Sequence, residues 1–168
     1  MFTLATYTAV HVIISVIGIA SGLVVAVGYL SGKRFEQATR VFLSATALTS
    51  LTGFGFPFTH LLPSHIVGVL SLVVLAVAIF ARYGKRLAGA WRWGYVVAAT
   101  LALYFNVFVL IVQSFLKVPA LKTLAPTQTE PPFAIAQLVA LAIFAVLGAA
   151  GVKTFHPEKT REYERTAV

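Results

Sequence analysis

Five apolar runs dominate the chain, separated by short polar or basic stretches: Leu4–Leu30, Val41–Phe58, His65–Ala81, Trp91–Leu116 and Phe133–Val152. A helix needs about 20 apolar residues to cross the hydrocarbon core of a bilayer, so each run predicts a transmembrane helix. The third is the shortest, but Leu61, Leu62 and Tyr83 extend its apolar reach and modest bilayer thinning covers the rest. The first and fourth are long enough to tilt. The first run has no basic residues before it and outlasts a signal-peptide core, which predicts that it is retained as a membrane helix. The pattern therefore predicts an all-α polytopic integral membrane protein, a compact bundle of five transmembrane helices in residues 1–152. Residues 153–168, with four basic and three acidic side chains, read as a solvated cytoplasmic tail. No internal repeat interrupts this organisation.

Helices in lipid associate through small residues, because Leu against Leu gains little when the alternative is Leu against lipid. In the first run Ser15, Gly18, Gly22 and Ala26 recur at helical spacing, and Gly18 and Gly22 form a GxxxG. At about 100° per residue, His11 falls within about 60° of all four, which turns its imidazole into the bundle. In the fourth run Ala99, Ala102, Asn106 and Gln113 form one stripe, predicted to face inward. Gln137 lies about one turn inside the fifth run.

Composition decides the solvent. Of 168 residues 59% are hydrophobic and 11% charged, and the mean hydropathy is +0.90, leaving too little polar surface to coat a soluble domain of this size. The net charge of +8 falls in short clusters between apolar runs, not in a continuous footprint, which argues against a nucleic-acid partner. Sorted by side of a five-span chain, Lys33, Arg34, Arg40, Arg82, Lys85, Arg86, Arg92, Lys153, Lys159, Arg161 and Arg165 share one side. Only Lys117 and Lys122 lie on the other. The positive-inside rule then predicts a bacterial-type inner membrane location with the amino terminus outside and the carboxyl terminus in the cytoplasm. The basic loops are also suited to anionic lipid head groups. The chain has no Cys, which excludes disulfides, CxxC redox chemistry and thiolate metal sites.

The rare polar groups inside the spans gather in one leaflet. His11, Gln113 and Gln137 lie roughly 6 to 10 Å below the outer boundary, with Asn106 nearer the midplane, at a rise of about 1.5 Å per residue. His60, His65 and Glu130 belong to the outer connections of the same side. Such groups are costly in hydrocarbon and face a partner or a wet cavity, so the pattern points to an outward-opening site. Interhelical hydrogen bonding is the alternative for Asn106, Gln113 and Gln137, and a bond to a neighbouring helix is the alternative for His11.

Three features give that site candidate chemistry. At the end of the second run Gly and Phe alternate through Gly53, Phe54, Gly55, Phe56, Pro57 and Phe58, and Pro57 cannot continue helical bonding. Irregular backbone at membrane depth must line a cavity or be buried by protein, so Phe54 and Phe56 read as a ring-lined wall for a flat ligand or as close-packed core. A tight turn, with Ser64 as N-cap of the third helix, brings His60 and His65 to the surface that His11 enters. His11, His60, His65 and Glu130 supply enough donors for a divalent metal, although H-x4-H is not a standard zinc spacing. His11 with His65 or His60 also suits the axial pair of haem b, and His11, Asn106 and Gln113 suit a quinone. The loop Lys117–Pro132, with four prolines, is predicted to lie across the bundle mouth, and Glu130 suits the start of the fifth helix.

The chain has no Asp, paired intramembrane carboxylates, GxSxG, P-loop or Arg inside a span beyond its terminal turn, which argues against a self-contained enzyme. The leading expectation is a membrane protein whose outer half binds a small cofactor or apolar ligand through His11, Phe54, Phe56, His60, His65, Asn106, Gln113 and Gln137. Haem or quinone is favoured, in an electron-transfer role. The alternative is an accessory subunit whose polar residues pack it into a homo-oligomer or a larger membrane complex.

Overall fold

Local chemistry sets the helix limits. The computed structural model describes residues 3–57 and 63–156; Phe58, His60, the Ser64 side chain and the tail beyond His156 lie outside them. Helix α1 covers Leu4–Leu30, and the Thr3 hydroxyl caps it by accepting the Thr6 N–H at 3.2 Å. Helix α2 covers Glu36–Gly53, shifted toward the amino terminus from the expected Val41–Phe58. It starts early because Glu36 suits a first turn. It stops early because Pro57 has no N–H and biases the residue before it away from the helical region. The N–H groups of Phe54 and Gly55 close the last turn on the carbonyls of Leu51 and Thr52, at 3.2 and 3.0 Å.

Helix α3 covers Pro63–Ile79 and runs into a π-helical turn, Phe80–Gly84. Helix α4 covers Trp91–Lys117, the short α5 covers Pro119–Leu124, and α6 covers Pro131–Thr154. Pro131 and Pro132 stand in the first turn of α6, where their missing N–H groups have no helical acceptor to lose. The proline-rich loop is therefore not wholly irregular: it contains α5 and folds back on α4. There Ala125 is fully buried and Gln128 Nε2 donates to the Val112 carbonyl at 2.8 Å.

The fold is all-α, with no strand among the described residues. Among the described residues four stretches are long and apolar enough to cross a membrane: Leu4–Leu30, His65–Gly84, Trp91–Lys117 and Pro131–Thr154. This is a membrane protein, and its outward Leu, Ile and Val side chains meet lipid. Helix α2 is the least apolar of the five long helices, about 27 Å long at about 1.5 Å per residue. It nevertheless lies antiparallel along α1, from Phe35 beside Gly28 at one end to Thr52 beside Tyr7 at the other.

Helix α2 belongs in the bundle because its hydroxyl groups turn inward. Thr39, Thr46, Thr49 and Ser50 are buried. Ser50 Oγ donates to Ser71 Oγ on α3 at 3.1 Å, and Asn106 Nδ2 on α4 donates to Thr46 Oγ1 at 3.1 Å. Opposite this face α1 presents its glycines. A Cβ on Gly22 would lie 2.6 Å from Leu103 Cδ1 and 2.9 Å from Phe42 Cδ2, and one on Gly18 would lie 3.3 Å from Thr46 Oγ1. The small residues thus bring the backbones within reach of one another, as membrane helix packing requires. Helix α4 touches every other helix, and Tyr95, Val96, Ala99, Ala102, Leu103 and Asn106 form its buried stripe at spacings of one, three or four residues.

The two ends of the bundle differ. One end, the histidine end, joins the start of α1, the end of α2 and the starts of α3 and α6. The opposite, basic end carries Lys33, Arg34, Arg40, Arg82, Lys85, Arg86, Arg92 and Lys153, whereas Lys117 and Lys122 lie toward the histidine end. At the basic end Arg92 Nη1 donates to the Phe155 carbonyl at 2.5 Å and Thr154 Oγ1 donates to the Tyr29 carbonyl at 2.7 Å, tying α6 to α4 and α1.

Replacing Gly22 with Val is expected to destabilise the bundle by about 1–3 kcal/mol through overpacking against Phe42 and Leu103. Gly94→Ala, where an added Cβ meets nothing within 4 Å, should leave stability nearly unchanged. Thermal unfolding of the two variants in detergent measures the difference.

Candidate functional site

The end of α2 delivers its residues to two neighbours at once. After Gly53 the chain turns through Phe54, Gly55, Phe56 and Pro57, and its two rings diverge. Phe56 meets α1, with its ring centroid 5.0 Å from that of Tyr7 and 5.1 Å from that of His11, both edge-on. Phe54 meets α3: its ring lies 5.8 Å from that of His65 and passes over Gly68, where a Cβ would come within 3.2 Å of Phe54 Cζ. The Phe residues therefore form no single flat wall, and His11 and His65 each contact a different ring of the turn.

Thr52 organises the α1 side. Its hydroxyl lies 2.6 Å from the Leu48 carbonyl one helical turn back and 2.8 Å from His11 Nδ1. A hydroxyl has one hydrogen, and the Leu48 carbonyl can only accept it. The Thr52 oxygen then accepts from His11, so the proton of the neutral imidazole sits on Nδ1 and Nε2 keeps its lone pair. The Tyr7 hydroxyl adds a second tie, donating to the Thr52 carbonyl at 2.6 Å. Gly55 is required here, because a Cβ would collide with the Tyr7 hydroxyl. His11 is thus half-buried and oriented by α2, with Tyr7 one turn away on the same face of α1.

The remaining expected site residues separate. Asn106 is buried and bonds Thr46, which makes it an interhelical clamp near mid-bundle. Gln113 is exposed, contrary to the inward stripe expected of it. It shares the Asn106 face of α4, but two turns further on the parallel helix α2 has already ended at Gly53. Gln137 Nε2 donates to the Phe108 carbonyl at 3.3 Å, bridging α6 to α4, and its Oε1 is buried without a hydrogen-bond partner. His65 is buried at the start of α3. His60 lies outside the described residues, among which no three His, Asp or Glu side chains are grouped to hold a metal.

Glu130 precedes α6 and serves its own turn. Its carboxylate accepts the Thr127 N–H at 3.2 Å, the Thr127 hydroxyl at 2.8 Å and the Thr129 N–H at 3.1 Å. Desolvation, which would raise its pKa, is outweighed by these bonds taken together, so the carboxyl is held below its ordinary value.

Tyr7 and Thr52 are the site residues that sequence reasoning passes over. The signal for Tyr7 is its i−4 spacing from His11. Thr52 has no comparable signal, because only the docking of α2 on α1 gives it a partner. No family model matches this chain, and neither do any curated protein or solved structure.

Because the folded-state pKa of Glu130 is depressed, its ordering of the turn is complete at neutral pH and is lost as pH falls through that lowered value. The amide proton shifts of Thr127 and Thr129 should titrate together, with a midpoint below that of an ordinary glutamate. In Glu130→Gln this shared transition should be absent.

Proposed function

We propose that this is an inner-membrane ligand-binding protein whose histidine end faces outward and holds a quinone-type cofactor, a flat ring with polar oxygens on an apolar body, in an electron-transfer role. The double use of the Thr52 hydroxyl carries this reading. It leaves His11 Nε2 as a hydrogen-bond acceptor for a quinol hydroxyl at the level where α2 gives way to irregular backbone. Phe56 supplies aromatic surface against the His11 ring, and Tyr7 packs on Phe56 in turn. The unpaired Gln137 Oε1 is a further acceptor toward the same end of the bundle. The outward orientation rests on the concentration of Lys and Arg at the opposite end.

Haem is the second reading, favoured by the same geometry. An imidazole whose Nδ1–H is tied to a fixed oxygen is the form that binds a metal through Nε2. His11 would be the axial ligand, and the iron would supply one-electron chemistry.

Binding of a short-chain benzoquinol, kept reduced, to the purified protein, together with the protein's visible spectrum, tests both readings. The quinone reading expects saturable quinol binding that weakens about tenfold in His11→Ala, since the ligand hydroxyl then loses its acceptor in an apolar setting. Thr52→Val should weaken it less, and Thr52→Ser should restore it. A Soret band that disappears in His11→Ala replaces quinone with haem. Absence of a Soret band combined with quinol uptake equal in wild type and His11→Ala overturns the proposal.

A further inference from the structure

The basic end encloses two phenols that the histidine-end reading does not use. Tyr29, near the end of α1, and Tyr95, in the second turn of α4, are 4% and 0% exposed, and their rings meet edge-on with centroids 5.8 Å apart. Phe155 closes the cluster from the end of α6, with its ring 5.3 Å from that of Tyr29 and 6.2 Å from that of Tyr95. Helix α6 approaches closely here: a Cβ on Gly151 would lie 2.9 Å from Val96 Cγ1 and 3.1 Å from Tyr29 Cβ. The two phenols are therefore held between three helices.

Their hydrogens do not balance. The hydroxyl oxygens of Tyr29 and Tyr95 are both buried and have no hydrogen-bond partner among the described residues. Each hydroxyl carries one hydrogen. A bond from one phenol to the other would use only one of the two, and the second would still need an acceptor. A buried donor without an acceptor is costly, and more so at membrane depth.

The surroundings add donors and few acceptors. Arg82 is buried with its guanidinium 5.2 Å from the centre of the Tyr95 ring, and its Nη2 donates to Glu36 Oε2 at 2.7 Å. Arg92 Nη1 donates to the Phe155 carbonyl at 2.5 Å, and the Tyr29 carbonyl already accepts from Thr154. Glu36 is the one acid that the described residues place at this end. Two guanidinium groups against one carboxylate leave positive charge beside the phenols. A water molecule would bring two further hydrogens to a cluster already short of acceptors. A monatomic anion brings none, and hydrogen bonds to an ionised acceptor are the stronger kind.

We infer that the hydroxyl groups of Tyr29 and Tyr95 bind a halide ion, chloride being the common one, with the nearby guanidinium of Arg82 favouring its negative charge. Arg82 borders both the Tyr95 ring and a cleft of about 180 Å³, lined also by Arg34, Glu36, Tyr83, Arg86 and Leu87, which brings water to the cluster. The ion ties α1 to α4 at the end opposite His11, so its binding is independent of any ligand held there.

Thermal unfolding of the full chain in detergent, in chloride, bromide or gluconate at one ionic strength, tests the inference together with chloride NMR line widths. Chloride and bromide are expected to raise the Tm above its value in gluconate, saturably, by about 2–4 °C at about five times the Kd. Tyr29→Phe and Tyr95→Phe keep the rings and remove one donor each, and each should weaken halide binding about tenfold and narrow the chloride line. Tyr104→Phe, outside the cluster, should change neither. If one variant fails to fold, the other carries the test. A Tm that rises in both Phe variants equally in all three salts marks hydroxyls that hold nothing, and one that falls equally in all three marks a water or a mutual bond. Either result overturns the inference. So does a halide response that persists in both variants, which places the ion elsewhere, or a wild-type protein that responds alike to halide and gluconate.

Discussion

The close approach of α1 and α2 at Gly18 and Gly22 is the contact on which the other features depend. Hydrocarbon gives little reward for burying one aliphatic side chain against another, so backbones must come close enough for dispersion and hydrogen bonding to decide the partner. Phe42 and Leu103 occupy the space that a side chain at Gly22 would need, and Thr46 sits against Gly18 with Asn106 behind it. With that seam in place, a helix rich in Thr and Ser is held among four apolar ones. The hydroxyl groups of Thr39 and Thr52 donate to carbonyls one turn back, Ser50 donates to Ser71 and Thr46 accepts from Asn106, whereas the buried Thr49 hydroxyl has no hydrogen-bond partner.

The same seam determines what happens at its two ends. At one end it brings Thr52 against His11 and Tyr7, and the single hydrogen of a threonine hydroxyl sets the tautomer of an imidazole on another helix. At the other end it carries Glu36 to Arg82, where an exposed carboxylate pairs with the buried guanidinium in the lining of the arginine cleft. A buried guanidinium is costly unless paired, so Arg82 is also a reason for α2 to begin at Glu36 and not at the first apolar residue. One bundle therefore carries an aromatic cluster around His11 at one end and an arginine-lined cleft at the other, with the packed middle of the bundle between them.

Much of this was legible in the residues. Apolar run lengths predict the all-α membrane bundle, and α1, α4 and α6 fall within a few residues of their expected limits because hydropathy and proline placement are local properties. The GxxxG of α1 and the inward position of His11 follow from helical spacing. The limits of α2 were not legible, because its outer turns are polar and its early start depends on a partner 46 positions away. Gln113 was misplaced for a related reason: helical spacing identifies a face, whereas burial requires a neighbour at the same height.

By itself the sequence determined the solvent, the helical class, the segregation of Lys and Arg and the small-residue face of α1, since each is written in composition or in a period of one helix. Only the tertiary structure decided that Phe54 and Phe56 part company, that Thr52 orients His11, and that Arg34, Arg82 and Arg86 share a cleft. These are relations between elements far apart in the chain. They arise when backbones dock at a particular height and rotation, a choice made by steric fit at glycines and by hydrogen bonds that must close inside lipid.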